Sequence, residues 1–242
     1  MPTPGQHAFS EKVALVTNAT SPIGRAVSMQ LGLYGAFVIA CHGETSDSES
    51  DAVDELKSLG TLAHSISADV STPEGVDAVV EKIGDIYGRL DLLVNCPFAS
   101  DEPGFESSDI VHFRDTFSSV VKPSFLLVKQ AQTLFEDRPK VRIVNVLVSK
   151  EPRSDGAGML NAAANSAVES LTSSMASFLT SKFRVNAVSV SENGSKAEVR
   201  QDLDPELFRP TSGVDADDVA RAVIYLLSSE AKGVNGQVLR IG

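Results

Sequence analysis

Along the chain, short apolar runs alternate with longer stretches in which apolar positions recur every three or four residues. The short runs are KVALVT (12–17), AFVIAC (36–41), TLAHSIS (61–67), LDLLVN (90–95), VRIVNVLV (141–148), FRVNAVSV (183–190) and GQVLRI (236–241). Runs this short and this continuously apolar are the pattern of strands buried on both faces. Between them the helical period predicts helices near 23–33, 50–59, 73–87, 108–136, 157–181 and 215–229. Strands separated by helices in this way specify a parallel sheet covered on both sides. The expected fold class is α/β, a single-domain Rossmann-type three-layer sandwich with a seven-stranded parallel sheet. It should occupy residues 11–242 behind a Pro/Gly-bearing tail at 1–10, with no repeat or low-complexity linker inside it.

Composition narrows the class of partner. A chain of 242 residues that is 42% hydrophobic can bury one large core. The formal net charge of −11 and the lack of any basic run exclude a nucleic-acid surface, which would need Lys and Arg to neutralise phosphates. No stretch approaches about 20 apolar residues, and MPTPGQHAFSEK lacks the apolar core of a signal peptide, so a cytoplasmic protein without a membrane segment is expected. Cys41 and Cys96 each sit in or beside an apolar run and are read as buried structural thiols. His7, His42, His64 and His112 show no metal-ligand spacing, and no metal site is expected. The least regular stretches, 96–107 and 191–213, follow strands at the end where such sheets form a ligand crevice.

Several motifs belong together. VALVTNATSPIGRAV stands at the first strand–helix junction, ADV at 68–70, LDLLVN at 90–95 and RIVNV at 142–146. AVESLT at 167–172, RVNAV at 184–188 and DDVARAVIYLLSSEA with NGQVL over 217–239 complete the set. Together they resemble the short-chain dehydrogenase/reductase family from Lys12 to Gly242. The resemblance implies an NAD(P)-dependent alcohol dehydrogenase or ketoreductase, with a glycine-rich phosphate loop and an Asn-Ser-Tyr-Lys tetrad.

Both features are altered. The loop reads Thr17-Asn18-Ala19-Thr20-Ser21-Pro22-Ile23-Gly24, in which Gly24 alone of the family's glycines remains. Pro22 fixes its own φ, restricts Ser21 and removes an N–H. Cys41-His42-Gly43 stands where the family places its ribose-binding acid or 2′-phosphate-binding Arg. The resemblance leaves Asn18, Ile23, Gly24, Asp69, Val70 and Asn95 as vestigial cofactor-binding positions, with Phe98 adding bulk where the nicotinamide ribose would pass. The tetrad positions fall at Val121, Val148, Asn161 and Asn165, with Ser149 one residue from the serine position. In GMLNAAANSAVESLT, Asn161 and Asn165 share a helix face, where a Tyr–Lys pair would lower the phenol's pKa. Asn does not titrate, so it cannot be an acid or base.

The reading that follows is a non-catalytic subunit, a pseudoenzyme that carries no catalytic residues and is expected to bind no cofactor on this chain. It would assemble through its long helices with a homologous, active subunit, or otherwise with itself. Mixed assemblies occur in the family, and the chain resembles in kind the inactive subunit of the heterotetrameric alcohol dehydrogenase of anaerobic benzylsuccinate (toluene) degradation. Two alternatives are a cyclase- or isomerase-like enzyme that orients a polar substrate through Asn95, Ser149, Asn161 and Asn165, and an atypical NAD(P)-dependent ketoreductase using Lys122 or Lys150.

Overall fold

A computed structural model describes residues 8–43, 54, 56–58, 60–96, 103–136, 139–150, 154–179, 181–192 and 214–242, with only the backbone of Ser149, Lys150, Ser191 and Glu192. The strands are β1 (Val13–Val16), β2 (Phe37–His42), β3 (Ala63–Ser67), β4 (Leu92–Asn95), β5 (Val141–Lys150), β6 (Phe183–Glu192) and β7 (Val238–Ile241). They form one sheet in the order β3-β2-β1-β4-β5-β6-β7, every adjacent pair parallel. The helices are α1 (Pro22–Leu33), α2 (Pro73–Tyr87), α3 (Ile110–Gln130), α4 (Gln132–Phe135), α5 (Met159–Phe178) and α6 (Ala216–Leu227). Asp54 and Leu56–Ser58, within the predicted 50–59 helix, are also helical.

The period-2 geometry of the strands divides the core. Ala14, Val16, Val38, Ala40, Leu92 and Val94 point to one face, where α1 and α6 pack. Val13, Leu15, Ile39, Cys41 and Leu93 point to the other, beneath α2 and α3, while Leu147 and Ala187 meet α3 and α5. This is the three-layer sandwich expected from the sequence.

Of the boundaries that differ from expectation, two have a clear packing reason. The helix predicted over 108–136 ends its first segment at Gln130, because Ala131 turns the backbone to φ −80, ψ 14 and the four-residue α4 follows. The turn buries Leu134 and Phe135 and delivers the Leu134 carbonyl to the Leu90 N–H. At the amino end, Phe9 is fully buried edge-on to Tyr34, and its N–H donates to the Tyr34 carbonyl, so packing reaches back into the predicted tail.

Candidate functional site

The first strand–helix turn retains one glycine, Gly24, and closes through its own side chains. Asn18 takes the left-handed conformation, φ +47, that the family's glycine would supply. Ser21 is the N-cap of α1. Its hydroxyl donates to the Asn18 carbonyl at 2.7 Å and accepts from the Gly24 N–H at 3.1 Å, while Pro22 opens the helix. Gly24 is required by contact, since a Cβ there would lie 2.2 Å from the Asn18 carbonyl oxygen.

The same device starts α2. Thr72 donates to the Asp69 carbonyl at 2.9 Å and accepts from the Gly75 N–H at 3.1 Å, with Pro73 next and a Gly75 Cβ position 2.0 Å from the Asp69 oxygen. The S/T-P-x-G spacing at 21–24 and 72–75 is therefore one cap used twice, a signal present in the sequence but not extracted from it.

The consequence is electrostatic. A helix amino terminus holds an anion through free N–H groups. In α1, Pro22 has none, Gly24 is taken by Ser21 and Arg25 N–H bonds the Ser21 carbonyl. At the end of β2, His42 is 2% exposed, with Nδ1 2.9 Å from the Gly43 carbonyl and Nε2 2.8 Å from Ser65 Oγ. The Asp69 carboxylate accepts from the Ser71 N–H, and Val70 is buried in the core. Asn95 Nδ2 is committed to Asn145 Oδ1 at 2.8 Å. The vestigial cofactor positions, Ile23 apart, are thus engaged in contacts within the protein itself. Phe98 lies outside the described residues.

At the tetrad positions, α5 lies against the carboxyl end of β5. Asn161 and Asn165, 5% and 3% exposed, stand one turn apart. Asn165 Nδ2 donates to Asn161 Oδ1 and to the Val148 carbonyl, both at 2.9 Å. Val121 on α3 packs against the small cluster of Val120, Leu147, Ala164, Val168 and Ala187. Lys122 is exposed, and the side chains of Ser149 and Lys150 lie outside the described residues. Tyr225 belongs to the α1–α6 face and Tyr87 stacks on Phe37, so neither reaches α5, and Tyr34 packs on Phe9. Burial pushes the thiols of Cys41 and Cys96 up to about 12, keeping both protonated. Among the described residues no cluster of His, Cys, Asp and Glu is placed to hold a metal.

The loops around this site are held together. Phe105 N–H donates to the Asp155 carbonyl at 2.7 Å, and a Cβ on Gly104 or Gly156 would clash across the same junction. The segment after β4 is thereby joined to the turn that precedes α5, a contact with no sequence signal.

With this geometry the relatives can be placed. Residues 12–204 match the short chain dehydrogenase family. The chain is 30% identical to the 3-oxoacyl-[acyl-carrier-protein] reductase FabG of Vibrio cholerae serotype O1, over 95% of each protein. A dehydrogenase/reductase from Sinorhizobium meliloti superposes with a TM-score of 0.84 at 23% identity, covering 98% of this chain and 95% of that one. Actinorhodin polyketide ketoreductase, solved with NADPH, superposes at 0.81 and 23% identity, over 95% of both chains. The chain belongs to the short-chain dehydrogenase/reductase family. Within the described residues no helix is long and apolar enough to cross a membrane.

Proposed function

We propose that this protein is a non-catalytic member of its family that binds no dinucleotide and assembles with an active NAD(P)-dependent reductase subunit, supporting that subunit's fold. The observation that carries the reading is the Asn161–Asn165 pair, closed on the Val148 carbonyl where proton transfer would require a titrating pair. The self-capped phosphate loop supports it. The arrangement is the one expected of an inactive subunit in a mixed assembly, like that of the benzylsuccinate-pathway alcohol dehydrogenase.

The assembling surface is the outer face of α3 and α5. Ala163 and Ser170 on α5 are exposed, and α3 exposes Ile110 (67%), Val111 (51%), Phe113 (43%) and Phe125 (44%). Exposed apolar area of this kind favours a protein neighbour. One observation favours a second reading, a ketoreductase that retains its cofactor: Asn18 preserves the left-handed turn of the loop.

The two readings separate by titration of the purified chain with NADH and NADPH, followed by light scattering alone and with intact reductases of the same family. The expected result is no heat of cofactor binding and a mixed oligomer that Ala163→Arg or Ser170→Arg disrupts, since each would place an unpaired charge in the contact. Cofactor binding in the low micromolar range overturns the first reading in favour of the second. A chain that stays monomeric with every reductase removes the assembly role.

A further inference from the structure

A chain of buried side chains runs across the sheet behind the altered site. Asn95 Nδ2 donates to Asn145 Oδ1 at 2.8 Å, Asn145 Nδ2 to Thr172 Oγ1 at 2.9 Å, and Thr172 Oγ1 to the Val168 carbonyl at 2.8 Å. The three side-chain-bearing residues are 4%, 1% and 0% exposed. The last bond fixes the direction of all the others. The Thr172 proton is spent on a carbonyl, so its oxygen must accept, which orients the Asn145 amide and in turn the Asn95 amide. Asn95 is left with its oxygen turned away from the ladder, and that Oδ1 is buried with no hydrogen-bond partner. A buried acceptor without a donor has given up its hydration for nothing, which destabilises the fold.

A small cavity adjoins it, lined by Asn95 and Ser124 among Val120, Pro123, Val146 and Leu147. One of its walls is Pro123, where the α3 backbone ladder lacks one N–H. The free space is about what one water requires. No lining group is charged, and one amide oxygen cannot satisfy a cation that demands about six oxygen ligands. The occupant must be small, neutral and a hydrogen-bond donor.

We propose that this cavity is a binding site for a single ordered water, which donates to Asn95 Oδ1 and shares a hydrogen bond with the Ser124 hydroxyl. The water completes the ladder and fastens α3 to the carboxyl end of β4. It stands apart from any catalytic role, and the failure of the proposed function would leave it intact.

The test is an atomic-resolution crystal structure of the full chain and of Ser124→Val and Asn95→Leu, with thermal melts of the same proteins and of the double variant. In the wild type one water should lie within hydrogen-bond distance of both Asn95 Oδ1 and Ser124 Oγ. Ser124→Val should expel it and lower the melting temperature by several degrees. That loss should shrink when Asn95→Leu is already present, because the stranded acceptor is gone. If Ser124→Val does not fold, Ser124→Ala should retain the water, and oxygen-17 relaxation dispersion should count one long-lived water more than in Asn95→Leu. An empty cavity in the wild type, a water that ignores Asn95 Oδ1, or equal effects of Ser124→Val in both backgrounds would overturn the proposal.

Discussion

Asn165 donates from Nδ2 to Asn161 Oδ1, one helical turn earlier on α5, and the same nitrogen reaches across to the Val148 carbonyl. The residue is therefore a structural strut between helix and strand. Asn165→Leu fills a similar volume but strands an amide oxygen and a carbonyl, and should cost about 1–3 kcal/mol in urea unfolding. A cost below a few tenths would show that the strut carries no load.

Restoring the family's residues should not restore its chemistry. Asn161→Tyr with Asn165→Lys leaves Val121, Val148 and the self-capped loop unchanged, and members of a catalytic unit fail non-additively. The double variant is expected to show no NADPH oxidation with ethyl acetoacetate above background. Measurable turnover would mean that a dinucleotide site survives.

Gly24→Ala tests the cap. The new methyl would press on the Asn18 carbonyl, which is backbone and cannot step aside. A loss of about 1–3 kcal/mol is expected from such overpacking, and the same change at Gly75 should behave alike because its cap is the same. Calorimetry on the two variants would show whether the pair moves together.

Arg184 holds the carboxyl end of α6 through the Leu226, Ser228 and Val234 carbonyls at 2.8, 3.0 and 3.1 Å. Burial, and then the neighbouring Arg142, lower its pKa to about 10, so it stays charged at neutral pH. Arg184→Met strands these carbonyls and should destabilise the fold by about 1–3 kcal/mol. Arg184→Lys should recover little, since one ammonium cannot span three carbonyls. The check is the urea midpoint at constant slope.

The two thiols make a prediction about pH. Their folded pKa of about 12 exceeds the ordinary 9.0, so the native state holds these protons more tightly than the unfolded chain does. The resulting stability is fully present below about pH 9 and lost as pH rises toward about 12. Cys41→Ala with Cys96→Ala should flatten that alkaline decline while lowering stability near neutrality. A disulfide thiol reagent should label neither cysteine of the native wild type.

The strands and most helices were legible because each apolar run has the length and composition of a doubly covered strand. That Asn161 and Asn165 share one helix face was legible too, from their spacing of four, and the structure brings them into a hydrogen bond. What escaped was made by side chains bonding across distance: Asn145 and Thr172 read as an ordinary strand residue and an ordinary helix residue until the sheet aligns them. The break at Ala131 was hidden because Ala is the best helix former, and the turn there is imposed by the burial of Leu134 and Phe135. The Gly104–Asp155 junction joins two loops whose closeness no local pattern encodes.

The sheet order places β1 between β2 and β4. Val13 bonds the side chain of Asp91, 78 positions further on, and Ala14 to Val16 lie in register with Leu92 to Val94. During folding, the first strand can pair early on one edge but must hold the other open until a distant segment arrives. Pairings at such separation set a slow pace. Until β4 docks, an apolar edge is presented to any passing chain. Substitutions that delay the arrival of β4 should therefore appear first as aggregation during refolding, before any loss of native stability.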